Sequence, residues 1–168
     1  MKEIKLMIDG KEVQLTDEQL KALGIEIEEK RKNPFKRVTT GDTYYKITGY
    51  GNVDNFREDG DSTDQALYDG VNYFNDDSVA QQVALHQLLY RKLLKFAYDN
   101  NCIDTTKWRR YSQHWFIYYD WDTKEIRPDL AIVAQQFSTI YFSTMKAAQR
   151  AINEVVKPFM KEHPEFVW

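Results

Sequence analysis

At 168 residues, 42% hydrophobic and 29% charged, the chain has the make-up of an ordinary globular protein, and it is long enough to bury a core without metal or disulfide staples. A net charge of −3 and a pI near 5.7 weigh against a dedicated duplex-DNA binder, which needs a strong basic field to displace phosphate counterions. One cysteine, Cys102, excludes an internal disulfide, and no run approaches the ~20 apolar residues of a membrane span.

The first eight residues lack the apolar run and cleavage site of a signal peptide, so the expected location is the cytoplasm. Ile4 to Leu15 alternate about Asp9-Gly10, a β-hairpin pattern, because Asp-Gly readily supplies the positive φ angles of a tight turn. Thr16 and Gln19 form a capping box for a short helix with Leu20, Leu23 and Ile25 on its apolar side and Gly24 as its stop. These residues, 1–27, make an appendage too small to bury itself. A charged linker follows over 28–38, carrying Lys30, Arg31, Lys32, Lys36 and Arg37 around Pro34. It reads either as a solvated connector or as a contact for an acidic partner.

Residues 39–168 read as the main domain, in two segments of similar plan. In the first, Thr43–Ile47 is a strand, Gly49 to Asn52 a turn, and Val53–Arg57 a returning strand. A short strand over Val71–Phe74 then leads into a helix from about Asp76 to Tyr98. Its Val79, Val83, Leu85, Leu88, Leu89, Leu93, Leu94 and Phe96 are too widely spread for one stripe, which predicts burial from more than one direction. In the second segment, Gln113–Tyr119 is a strand and Asp120–Lys124 a turn. Thr139–Phe142 is again short and extended, and a helix runs from about Thr144 to Lys157.

Tyr73-Phe74 and Tyr141-Phe142 precede Ala80-Gln81-Gln82 and Ala148-Gln149-Arg150 at one spacing, the pattern of a duplicated hairpin–strand–helix unit. The expected fold is α+β: an antiparallel sheet with the two main helices on one face, plus the N-terminal hairpin and short helix. The closing Phe166-Val167-Trp168 is unusually apolar for a chain end and points to a tail pinned on its own sheet.

Little in the chain carries a recognised chemistry. His86, His114 and His163 are scattered without the i, i+4 partner of a helical zinc site, and no cofactor or metal is expected. Cys102 with a distant histidine is a weak candidate for a nucleophile pair. Gly49 to Asn52 has two glycines but opens no helix, so it is no phosphate loop. Asp59 to Asp64 has acidic spacing reminiscent of a calcium loop, without the glycine at the sixth position or the glutamate at the twelfth.

Two surfaces remain. Asp54, Glu58, Asp59, Asp61 and Asp64 lie in an acidic stretch that reads as a solvated loop or as a face for a basic partner. Lys107, Arg109, Arg110 and Tyr111, followed by Trp115, Tyr118 and Trp121, interleave cations with rings. Single-stranded nucleic acid is gripped that way, and so are protein hot spots. Strand alternation lets only one of the sets Trp115, Ile117, Tyr119 and Phe116, Tyr118 face inward. With 11 Tyr, 9 Phe and 4 Trp, some rings are expected at the surface.

Asp64 to Asp69, Asn72 to Phe74, Leu88 to Lys92, Ile140 to Thr144 and Val156 to Pro164 resemble a family of small proteins encoded by phages, prophages and other mobile elements of Gram-positive gut bacteria. The likeness spans most of the chain, and it assigns no functional residue. It implies a non-enzymatic accessory protein that binds a host protein stoichiometrically, such as a defence nuclease, as a counter-defence inhibitor of the anti-CRISPR kind. A binder of single-stranded nucleic acid or a signalling nucleotide is the alternative expectation.

Overall fold

The computed structural model describes residues 33–109 and 111–168, together with the strands Leu6–Ile8 (β1) and Lys11–Val13 (β2). The chain divides into two compact units, Met1–Asn33 and Pro34–Trp168. In the first, β1 pairs antiparallel with β2 in the register Leu6↔Val13 to Ile8↔Lys11. The Asp9-Gly10 turn, the helix expected after Thr16, and Lys30, Arg31 and Lys32 lie outside the described residues.

The second unit is mixed α+β. Thr43–Ile47 (β3) pairs with Val53–Arg57 (β4) across a turn in which Gly51 takes a φ of +90°. Ser62–Asp69 (α1) and Asp77–Asp99 (α2) follow. His114–Asp120 (β5) pairs with Glu125–Ala131 (β6). Met145–Ala151 (α3), a π-helical turn over Ile152–Val156 and Lys157–Glu162 (α4) complete the chain as one long, interrupted helix.

The strands form separate two-stranded hairpins, where the sequence suggests one sheet. The two short aromatic segments join them by single bridges, Tyr45↔Phe74 and Trp115↔Phe142. Each such segment is too brief for a ladder because a helix cap follows two residues later. The Asp76 carboxylate accepts from Val79 N at 3.2 Å, and the Thr144 hydroxyl accepts from Ala147 N at 3.1 Å.

Helix α2 buries Ala80, Ala84, Leu85, Leu89, Leu93, Phe96 and Ala97, with Leu88 and Leu94 half-buried against the core on either side. The core also takes Phe142, Ala148, Ala151, Val156 and Phe159. Pro158 has no N–H and would crowd the preceding turn of a regular helix. The widened turn just before it, with Lys157 N bonded to Ile152 O, lets the helix run past the expected stop at Lys157 to Glu162. The tail is pinned on α2 and α4, and its last ring, Trp168, packs on the core and lines a cavity with Ile117 of β5. Gln82 Nε2 donates to Glu165 O at 2.7 Å, Val167 N donates to Gln82 Oε1 at 3.0 Å, and Phe166 packs edge-on to Phe159. Among the described residues no helix is long and apolar enough to cross a membrane.

Candidate functional site

The β5–β6 register runs from His114↔Ala131 to Asp120↔Glu125, which gives the hairpin an open end and a closed tip. Seven residues at about 3.3 Å each separate them by about 20 Å. Lys107, Arg109 and Tyr111 lead into the open end, and Ile132, Val133 and Phe137 leave it. Trp121 stands alone at the tip, 70% exposed and edge-on to Tyr119 at 4.8 Å. The rings and cations grouped by sequence are therefore divided between two places.

Neither face of β5 is bare. Trp115 and Ile117 are half-buried against the helical core. His114 and Phe116 are buried on the opposite face, where Tyr141 packs on both. Tyr118 is half-buried, and its hydroxyl accepts from Arg127 Nη2 at 3.2 Å while Arg127 also pairs with Asp120. Trp115 and Tyr118 thus belong to the scaffold more than to a binding face. Arg110 lies outside the described residues.

The exposed cluster at the open end rests on a buried relay. Residues 102–104 run beside 141–143, through the bridge Ile103↔Phe142 and a bond from Asp104 N to Tyr141 O at 2.8 Å. This carries Asp104 to His114, whose Nδ1 lies 2.7 Å from Asp104 Oδ2 and whose Nε2 lies 2.7 Å from Ser112 Oγ. Burial works to raise the Asp104 pKa, but hydrogen bonds from Thr106 and His114 hold it below the ordinary carboxylate value. Trp108 stacks on the His114 ring at 3.8 Å.

The order Asp–His–Ser has the connectivity of a hydrolytic triad, yet the serine is engaged on its other side. Ser112 Oγ accepts from Arg109 N at 3.0 Å and lies 2.8 Å from Arg109 O, closing the 109–112 turn. His114 is only 1% exposed beneath Trp108. This wiring fastens the loop that displays Lys107, Arg109 and Tyr111. Cys102 is buried as well, and burial pushes its thiol pKa up, away from the reactive thiolate.

The acidic stretch also divides. Asp54, Asp59 and Asp61 are exposed, and Asp61 caps α1 by accepting from Thr63 N and Asp64 N. Glu58 and Asp64 are not on that surface. Glu58 is buried, taking Arg37 Nε at 3.0 Å, Arg37 Nη2 at 2.9 Å, Tyr73 OH at 2.7 Å and Gly60 N at 2.9 Å. Asp64 takes Tyr44 OH at 2.7 Å, Asp59 N at 2.8 Å and Gly60 N at 3.0 Å.

The Arg37 bonds, above all, hold the Glu58 carboxyl below its ordinary value, and the Tyr44 hydroxyl does the same for Asp64. Burial, reinforced by these carboxylates, raises both phenols, Tyr73 to about 12. A buried acid stays charged only when so satisfied. What looks in sequence like a solvated acidic loop is therefore half surface and half internal wiring.

The sequence reading missed Val133 and Phe137, which are 87% and 100% exposed. The available signal was an apolar run over Leu130 to Val133 that outlasts its strand. Among the described residues no group of three His, Cys, Asp or Glu is placed to hold a metal. No protein-family model, curated protein or solved structure matches the chain.

Proposed function

We propose that the chain acts by stoichiometric binding of another protein, with the open end of the β5–β6 hairpin as its anchor. The observation that carries this reading is the exposure of Val133 and Phe137 at the end of the hairpin where Lys107, Arg109 and Tyr111 enter. Exposed apolar side chains on the segment leaving this end, with exposed cations on the segment entering it, suit a partner that offers an apolar pocket with an acidic rim. The Asp104–His114–Ser112 relay fixes one side of this end before binding, which lowers the ordering cost.

The resemblance to phage and mobile-element proteins supports a host protein as the partner. A defence nuclease is the class we infer, so that the chain would be a counter-defence inhibitor. The test is co-purification with host defence nucleases and an interference assay, comparing the native chain with a Val133→Asp/Phe137→Asp variant of unchanged circular dichroism. Binding and inhibition by the native chain, both lost in the variant, are expected. Absence of both from the native chain, or full activity of the variant, overturns the proposal.

Exposed Lys107 and Arg109 near Tyr111 support a second reading, single-stranded nucleic acid or a signalling nucleotide. The placing of Trp121 at the opposite end of the hairpin weakens it for a mononucleotide, which is shorter than the ~20 Å of strand between the two ends. Fluorescence quenching by an oligonucleotide, reversed at high salt and lost in Lys107→Ala/Arg109→Ala, would favour it.

A further inference from the structure

A concavity of about 470 Å3 lies between the β3–β4 turn and helix α2. That volume falls in the ~300–1,000 Å3 range of small-molecule sites. We propose that it binds a small organic carboxylate, with Arg91 as the charged anchor.

Among the described residues of the lining, Arg91 alone carries a formal charge. Among the described residues its guanidinium has no ion pair or hydrogen bond, although the chain as a whole is negative. The guanidinium is nevertheless seated against a particular backbone. A Cβ at Gly51 would come 3.0 Å from Arg91 Nη2, and Gly51 also holds a φ of +90°, so a side chain there is opposed on both counts. The turn thus leaves room for the cation and supplies no acceptor for it.

Two further groups lack partners. Thr48 Oγ1 is buried and makes no hydrogen bond, an arrangement that costs free energy unless something completes it. The Gln87 amide, one turn before Arg91 on α2, lines the same cavity with no hydrogen bond of its own among the described residues. The remaining wall is rigid. The Asn72 amide clasps Ile47 through two 2.8 Å bonds, and Val71 is held at a φ of 57°, costly for a β-branched residue and typical of constrained sites.

Charge counting selects the ligand. A single guanidinium presents a planar fork that matches one carboxylate in bidentate fashion. A phosphate dianion would leave an uncompensated negative charge in a chain already at −3. Thr48 supplies a hydroxyl, Gln87 an amide for a polar substituent, and the Val71 side an apolar wall for a short carbon skeleton.

The experiment titrates the full-length protein with acetate, L-lactate, succinate and inorganic phosphate. Binding is followed by calorimetry and by the 1H–15N signals of arginine Nε and of the Thr48 amide. A saturable shift of the Arg91 and Thr48 signals is expected with at least one carboxylate, and none with phosphate. Arg91→Gln should weaken binding about tenfold or more, the loss of one charge-assisted contact. Thr48→Val should weaken it several-fold, and both variants should keep the native circular dichroism, since Arg91 is exposed and valine preserves the shape of threonine. The proposal is overturned if no carboxylate saturates, if phosphate binds as well as the best carboxylate, or if Arg91→Gln binds like the native chain. None of these variants touches the hairpin end, so the outcome is independent of the protein-binding reading.

Discussion

The two buried tyrosines of the first half make similar bonds, yet their hydroxyls should differ in what their loss costs. Both Tyr44 and Tyr73 are 1% exposed, they stack on each other at 4.1 Å, and each hydroxyl donates to a carboxylate at 2.7 Å. The acceptors differ. Tyr73 donates to Glu58 Oε2, which keeps Arg37 Nε as a second donor when the phenol is removed, and it accepts a long 3.3 Å bond from the part-buried Val38 N. Tyr44 donates to Asp64 Oδ1, while the backbone donors of Asp59 and Gly60 go to Oδ2, so Tyr44→Phe leaves a charged oxygen without its donor.

Losing the hydroxyl of Tyr44 should therefore cost about 2–3 kcal/mol, and losing that of Tyr73 about 1 kcal/mol. At roughly 2–4 °C per kcal/mol for a domain of this size, Tm should fall by about 5–10 °C for Tyr44→Phe and about 2–4 °C for Tyr73→Phe. Urea unfolding followed by tryptophan fluorescence reads both as shifts of midpoint at constant slope. Equal losses, or a larger one for Tyr73→Phe, would refute the reasoning that the unshared oxygen sets the cost.

The same network fixes the pH response. Glu58 and Asp64 have folded-state values below their unfolded values near 4, so their contribution is complete above about pH 4 and is lost as the pH falls through the depressed values. Tyr44→Phe removes the main cause at Asp64 and should move acid unfolding to higher pH. At the alkaline end the sign reverses: Tyr73, raised to about 12, stabilises the fold fully below its unfolded value near 10 and ceases to do so as the pH rises through 12. Absorbance at 295 nm should show these two phenols ionising last, together with unfolding. In the other half, Asp104→Asn should speed amide exchange over 105–113 while the amides of α2 stay protected. Equal loss of protection in both regions would show that the relay holds the whole fold and not the loop.

Much of the skeleton is legible in the residues because its signals are local. Alternation marks β3, β4 and β5, and the register of each hairpin follows from its turn. The caps Asp76 and Thr144 start α2 and α3 where a polar residue meets an apolar period. Helix α1 is obscured because its buried member is an acid, Asp64, so no apolar stripe announces it. Strand β6 is obscured by Pro128, which cannot donate to a ladder and is tolerated there opposite Ile117 on an edge. The end of the last helix is misjudged because a proline usually stops one, and the compensating π turn has no local signature.

The candidate site is harder for a different reason. Composition puts Trp115 beside Arg109 and Tyr111, but only the register shows that Trp121 stands at the closed tip, about 20 Å of strand from the open end that they lead into. Burial of Glu58 and Asp64 depends on Tyr73 and Tyr44, which lie 15 and 20 residues away and become partners only on folding.

The two halves share a wiring plan that goes beyond their aromatic pairs. Asn75 N bonds Pro34 O at 2.8 Å, and Ser143 N bonds Cys102 O at 2.9 Å, so each aromatic segment is flanked on one side by a preceding stretch and on the other by a hairpin. Tyr45 and Trp115 bridge to Phe74 and Phe142, and Ala80 and Ala148, four residues beyond the caps, are both fully buried. One step before each bridging residue sits a buried polar ring, Tyr44 or His114, packed against Tyr73 or Tyr141 and bonded to a carboxylate.

The carboxylate arrives from opposite directions. Asp64 comes from the helix after the first hairpin, and Asp104 from the segment before the second. If the polar ring were incidental, two different chain segments would have no reason to deliver an acid to it. The shared requirement is that a ring buried beside the strand bridge must have its hydrogen bond completed, and each half meets it with whichever loop lies nearest. In the first half that closes the acidic segment into an internal network. In the second it fixes Asp104 and Ser112 about His114 beneath Trp108 and leaves Lys107 and Arg109 exposed.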